Sequence, residues 1–260
     1  MIQGDRVRIC PVASGSRGNS IFVSCGNLSI LIDAGLSGVE IEKRLQASGI
    51  SPDSLDAIIV THEHSDHVKG VGVLSRRYHI PVYINRQTFE AVPKIGRLAG
   101  LEFFECGNPF HIDGVRIDPF TTSHDAADPA GLTLSYKSTK IGIATDMGVA
   151  TGLVKERLKH CSLLYIESNH DPEMLINGPY PWPLKQRIRG REGHLSNEDT
   201  ASLLKELAGR ELMHVILAHL SEKNNTPEKA FQAAQAALTP FGGVGIDVAM
   251  PHEPGTVISL

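Results

Sequence analysis

No run of apolar residues in this chain approaches the roughly 18–20 that a membrane-crossing helix requires, so no membrane-spanning helix is expected in it. The four cysteines, Cys10, Cys25, Cys106 and Cys161, are scattered, with no C-x-x-C pair. That spacing argues against a thiolate zinc site and against a disulfide framework. The opening MIQGDRVRICPV lacks the basic-then-apolar plan of a signal peptide, so export is not expected and a cytoplasmic protein is. An excess of positive charge is also missing: 25 basic residues face 29 acidic ones, a net charge of −4. Such a chain does not bind polyanions with its whole surface, so a nucleic-acid site would have to be local. With 41% apolar and 21% charged residues the composition is that of a folded globular protein rather than a disordered one. No linker or charge block divides the 260 residues, and a single domain over 1–260 is expected.

What is present is a regular alternation of short apolar runs with helical patterns. Val7–Val12, Ile21–Cys25 and Leu28–Ile32, separated by Gly-rich turns, read as antiparallel strands. Ser37–Ser48 has apolar residues near helical spacing, with Gly49 as a stop. Ala57–Val60 is uninterruptedly apolar, the mark of a strand covered on both faces. Further strands are read at 81–84, 101–105, 115–120, 132–136, 141–145, 163–166, 214–218, 245–249 and 256–260, with Asp113-Gly114 as a hairpin turn. Ser196 and Asp199 form a capping-box-like start for a helix over 197–208, and Thr226-Pro227 launches another over 228–238. Each half holds an apolar strand running into a histidine, IIVTH at 58–62 and VILAH at 215–219. Two βα halves packed sheet to sheet, with helices outside, are expected: an α/β chain in four layers.

Histidine is the unusual entry in the composition, at 12, and His62, His64 and His67 fall within six residues. In an extended segment residues two apart point the same way, so His62 and His64 face one point. If the chain then turns into a helix, Asp66 and His67 project from its first turn toward the same region. Four nitrogen and oxygen donors at a strand end suit a transition metal, against the alternative of a solvated His-rich loop. The spacing is not H-E-x-x-H, because Asp66 occupies the place of the second histidine. His124, Asp146 and His219 stand after other apolar strands. Together these residues supply five His and two Asp, enough for two metal ions with Asp146 shared. Imidazole and carboxylate donors suit zinc, manganese or iron alike.

The order H-x-H-x-D-H, a later His, a Thr-Asp after a strand and a last His after a strand resembles the metallo-β-lactamase-fold hydrolases. More narrowly, SGSRGNS at 14–20, LIDAG at 31–35, THEHSDHVKG at 61–70, SHDAADP at 123–129, GHLSN at 193–197 and AHLSEKNN at 218–225 are similar to the YycJ/WalJ family of bacterial proteins. The resemblance covers nearly the whole chain. It implies an αββα four-layer fold and a two-metal hydrolase with 5′-exonuclease activity on duplex DNA. It also implies the ligands: His62, His64 and His124 at one metal, Asp66, His67 and His219 at the other, Asp146 bridging. Asp33 reads as a carboxylate orienting a ligand histidine, or as a turn-forming Asp before Ala-Gly.

Glu167 and His194 resemble the Glu and His of the tRNA 3′-processing branch of the superfamily, where such a pair is associated with protonating a leaving oxygen. With Asp66 they are the catalytic candidates. Lys185, Arg187, Arg189 and Arg191 lie at alternate positions, with Tyr180 and Trp182 upstream. In an extended segment the four cations would line one side and track a phosphate backbone, the alternative being a solvated basic loop. Ser16, Arg17 and Asn19 lie in a Gly-rich loop that can offer N–H groups to a phosphate, although it lacks the G-K-[ST] ending of a P-loop and a tight hairpin explains its glycines equally. His170 stays open between the site rim and a turn before Asp171-Pro172. The large insertion of the β-CASP enzymes and an arm for gripping tRNA are absent from this sequence. The expected function is a two-metal phosphodiesterase acting on nucleic acid, a DNA exonuclease foremost. The alternatives are a hydrolase of small phosphodiesters or thioesters, an RNA-processing nuclease, or a metal-stabilised regulatory binding protein.

Overall fold

Three consecutive strands open the described part of the chain, residues 6–92 and 94–260 of the computed structural model. They are β1 (Val7–Ala13), β2 (Ser20–Cys25) and β3 (Leu28–Ile32), paired antiparallel as their Gly-rich turns require. Helix α1 (Gly38–Ala47) follows, its first turn capped by Ser37, whose side chain accepts from Glu40 N–H. Then come β4 (Ala57–Ile59), α2 (Ser65–Val68), α3 (Val71–Tyr78), β5 (Pro81–Asn85), α4 (Arg86–Ala91) and β6 (Gly100–Phe104). Every helix that joins two of these strands returns the chain in the same direction, so β3, β4, β5 and β6 run parallel. The segment Ile258–Ser259 pairs with β1 and completes the sheet. Ile41, Leu45, Val71 and Leu74 from the helices pack on Leu31, Ile58 and Val82 from the strands. Each such fully buried aliphatic side chain contributes about 1.5–3 kcal/mol.

The hairpin β7 (Phe110–Ile112) and β8 (Val115–Thr121) turns at Asp113 and Gly114, both in the left-handed region that a two-residue turn of this kind demands. The chain divides into two compact units at this point. The first is Met1–Pro119 with Ala126–Asp128 and Met250–Leu260; the second is Phe120–Asp125 with Pro129–Ala249.

The second unit contains β9 (Ala130–Tyr136), β10 (Thr139–Ala144), α5 (Gly152–Leu158), β11 (Leu163–Glu167), α6 (Pro172–Asn177), α7 (Trp182–Arg189), α8 (Asn197–Leu207), β12 (His214–Ala218), α9 (Pro227–Leu238) and β13 (Gly245–Val248). β9 and β10 pair antiparallel, and β10, β11, β12 and β13 run parallel. Both expected helix starts are found: Ser196 and Asp199 form a full capping box on α8, and Thr226 caps α9 ahead of Pro227. Leu203, Leu204, Ala230, Ala234 and Leu238 cover Leu164, Ile166, Val215 and Leu217. Each unit thus carries a mixed sheet with its own apolar core, and in each the parallel strands end at one edge. In open parallel sheets that edge is where ligands bind.

Candidate functional site

In the first unit, Asp33 follows β3, and Thr61 and His62 follow β4, its parallel neighbour. Asp33 adopts a left-handed backbone, φ 58°, which Asp tolerates better than most residues. The bend turns its buried carboxylate toward β4. Oδ1 accepts from Thr61 N–H at 2.8 Å; Oδ2 accepts from the Thr61 hydroxyl at 2.7 Å and from His67 Nδ1–H at 2.7 Å. Since the Thr61 proton goes to Asp33, its oxygen accepts from His62 Nδ1–H at 3.0 Å. His62 and His67 therefore carry their protons on Nδ1 and their lone pairs on Nε2, the form that binds a metal. His64 stands at the N-cap position of α2, and Asp66 and His67 lie in that helix. The His62 ring centroid is 3.9 Å from that of His67 and 4.8 Å from that of His64. Of the two readings of Asp33, the structure selects the orienting carboxylate.

The loop at 14–20 braces this cluster. Asn19 Oδ1 accepts from Gly15 N–H at 2.8 Å, which aims Nδ2 at Asp66 Oδ2 (3.2 Å) and His67 Nε2 (2.9 Å). Its backbone N–H donates to Asp66 O at 2.7 Å, while Gly35 N–H donates to Asn19 O at 2.9 Å. A Cβ on Gly35 would overlap the Asp66 carbonyl oxygen, so only glycine allows the two segments to meet. Ser16 and Arg17 are exposed at the tip of the loop.

In the second unit, Asp146, Glu167 and His219 stand at the ends of β10, β11 and β12, three adjacent parallel strands. Asp146 and His219 are again left-handed, with φ 57° and 56°. Non-glycine residues in that conformation cost free energy and cluster at functional sites. Glu167 is fully buried. Its Oε2 accepts from Met147 N–H at 3.0 Å and Leu195 N–H at 3.2 Å; its Oε1 faces His194 Nδ1 at 2.7 Å and His219 Nδ1 at 2.9 Å. Burial by itself would push the Glu167 carboxyl up, but the His194 and His219 rings and their hydrogen bonds outweigh it and hold the group well below the ordinary carboxylate range. His124 donates Nδ1–H to the carbonyls of Glu192 (3.1 Å) and Gly193 (3.3 Å). Burial keeps its ring below the ordinary imidazole range against the pull of Asp146, hence neutral. One donor atom each from Asp146, Glu167, His194 and His219 lies within 4.8 Å of the others.

The donor chemistry fits divalent transition ions. In His62, His67, His124 and His219 the proton is fixed on Nδ1 by a hydroxyl, carboxylate or carbonyl, and each Nε2 carries a lone pair, the one on His67 accepting from Asn19 Nδ2–H at 2.9 Å. His194, with a side chain 21% exposed, is the most open ring on the Glu167 side.

The basic strip is not extended. Residues 182–189 form α7, opened by Pro181 and Pro183 and stopped at Gly190, so alternate positions point about 200° apart and the four cations cannot share one side. Lys185 is buried and its ammonium donates to Ile176 O at 2.6 Å, which ties α7 to α6. Arg187 pairs with Asp125, and Arg189 lies exposed.

A group of buried amides escaped the sequence reading. Asn169 Nδ2 donates to His219 O at 2.8 Å; Asn225 Nδ2 donates to Ser168 O at 2.9 Å; the Thr200 hydroxyl donates to Glu167 O at 2.6 Å. They hold the strand-end loops of β11 and β12 together. Asn169, just after an apolar strand, was the available signal, because a buried amide requires partners.

The family model described as "Beta-lactamase superfamily domain" matches residues 29–219. The chain is 38% identical over 238 residues to exodeoxyribonuclease YycJ of Bacillus anthracis, covering 90% of each. It is also 38% identical to exodeoxyribonuclease WalJ of Streptococcus pneumoniae, covering 91% of this chain and 90% of that one. Among solved structures, the metallo-β-lactamase-fold protein YhfI of Bacillus subtilis is similar over 98% of this chain and 100% of its own, with TM-score 0.77 and 16% identity. The fold expected from the sequence is thereby found. No helix among the described residues is long and apolar enough to cross a membrane.

Proposed function

The chain belongs to the YycJ/WalJ family of the β-lactamase superfamily, and on that premise we propose that this metal-dependent hydrolase is a two-metal phosphodiesterase that degrades DNA from an end. The observation that carries the reading is the Glu167–His194 pair, 2.7 Å apart, beside Asp146 and His219. A metal centre that only stabilised a fold would not need a half-open histidine held by a buried carboxylate. The proposed ligands are His62, His64, His124, Asp66, His67 and His219, with Asp146 shared between two ions of zinc, manganese or iron. When bound, such ions supply a water of lowered pKa and neutralise charge on the phosphoryl oxygens.

The rest of the chemistry belongs to the chain. Glu167 keeps His194 Nδ1–H engaged and so fixes the ring with Nε2 as the nitrogen that delivers a proton to the leaving oxygen. Asp33 fixes the ring of His67 in one orientation, and Thr61, between Asp33 and His62, does the same for His62. Asn19 holds Asp66 in place.

The test is metal analysis of the purified protein together with degradation of end-labelled duplex and single-stranded DNA. Two ions per chain and stepwise shortening from one end are expected. One ion or none after reconstitution, or turnover of chromogenic phosphodiesters with intact DNA, would overturn the reading.

A further inference from the structure

Helix α7 presents an unusual surface. It carries the chain's one tryptophan, Trp182, in its first turn with 57% of its surface exposed. At 100° per residue, Arg189, Trp182, Gln186 and Pro183 fall within an arc of about 120°, and all are exposed; Leu184, Lys185 and Ile188 turn inward. From Tyr180 to Arg191 there are four basic residues and no acidic one, in a chain whose net charge is −4. The acidic groups facing this stretch come from elsewhere: Asp125 holds the Arg187 guanidinium, and Glu192 follows it. With Lys185 buried on Ile176 O and Arg187 held by Asp125, the exposed arc keeps a large apolar ring and the Arg189 guanidinium, which match the two requirements of a single nucleic-acid strand, a stacking face and a partner for phosphates.

The other end of α7 is locked to the chemistry. His194 N–H donates to Ile188 O at 2.8 Å, and Gly193 N–H to Gly190 O at 3.0 Å, so the chain folds back on the last turn of the helix and His194 hangs from it. The Ser123 hydroxyl donates to Arg191 O at 2.7 Å. A Cβ on Gly148, two residues past Asp146, would overlap the carbonyls of Gly190 and Arg191. A cavity of about 530 Å³ opens here, lined by Ser123, Asp125, Arg187, Gly190, Arg191 and Glu192; His124 lies between two of these in sequence, and His194 is two residues after the last.

We propose that the exposed arc of α7 is a strand grip: Trp182 stacks on a nucleobase of the strand whose backbone passes Arg189 and enters the cavity beside His124 and His194. This rests on the nuclease reading and adds where the strand lies. Trp182 and Arg189 are seven residues apart, about 10 Å along the helix axis, or roughly three stacked nucleotides. Because His194 hangs from the same helix, a base held at Trp182 sets the register of the strand against His194.

The single tryptophan makes the grip observable. The metal-loaded protein is titrated with a short phosphorothioate single strand, which resists hydrolysis, while tryptophan fluorescence and affinity are followed. Quenching on binding is expected. Trp182→Ala should weaken binding about tenfold, Trp182→Phe should retain most of the affinity, and turnover of a nitrophenyl phosphodiester should be unchanged in both. Strand binding with no quenching, or with equal affinity in Trp182→Ala, overturns the grip while leaving the nuclease reading in place. A protein that turns over the small diester but neither binds nor degrades any strand overturns the nuclease reading itself.

Discussion

Oε1 of Glu167 lies 2.7 Å from Nδ1 of His194 and 2.9 Å from Nδ1 of His219. One buried carboxylate oxygen therefore orients two imidazoles, one proposed as an acid and one as a metal ligand. A carboxylate has two acceptor oxygens, so one serves both rings while the other accepts from Met147 and Leu195 N–H. In Glu167→Gln the single amide oxygen stays with Met147 and Leu195 N–H, so the NH2 group meets the two Nδ1–H groups donor against donor. Metal affinity should fall about 10–100-fold, with a larger loss of DNA turnover. Metal titration and end-labelled DNA assays check this, and unchanged circular dichroism would show the fold intact.

His194→Ala should slow DNA hydrolysis by about 10²–10⁴-fold while metal content stays the same. The defect should shrink on a nitrophenyl phosphodiester, whose leaving group needs no proton. Equal defects on both substrates, or loss of an ion, would exclude the proposed role.

Asp33→Asn isolates hydrogen bonding from backbone strain, because Asn also tolerates the φ of 58° found here. The amide keeps the shape but weakens the hold on Thr61 and His67. Metal affinity should drop about 10–100-fold with little change in secondary structure. Full affinity in this variant would return Asp33 to a turn-forming role.

His170 is buried 3% exposed, and burial pushes its ring down to about 4, against an ordinary value of about 6.5. Below pH ~6.5 the unfolded chain takes up a proton that the folded chain refuses, so this group lowers stability as the pH falls from ~6.5 toward ~4. Between about pH 6.5 and 5 the loss is on the order of 2 kcal/mol. His170→Asn should remove that part of the acid sensitivity. Urea midpoints of the two metal-free proteins across this range provide the comparison; parallel curves would show that His170 does not contribute.

The strands, the capped helices α1, α8 and α9, and the histidines at the ends of β4 and β12 were legible in the sequence because their signals are local. Apolar runs, side-chain oxygens at N-caps and the two-residue period of an extended chain act over a few neighbours. The alternating cations at 185–191 imitated a strand, yet Pro181, Pro183 and Gly190 impose a helix there, and Lys185 turns inward to the carbonyl of Ile176. Asp33 was readable two ways, because a turn and a hydrogen bond to a ring 34 residues later leave the same local trace. The double grip of Glu167, on rings 27 and 52 residues away, has no local trace at all. Residue types and spacing thus determined which groups can bind a metal or move a proton. Which nitrogen of each ring carries that proton depends on which oxygen the tertiary structure brings within hydrogen-bond reach, and only the fold decides that.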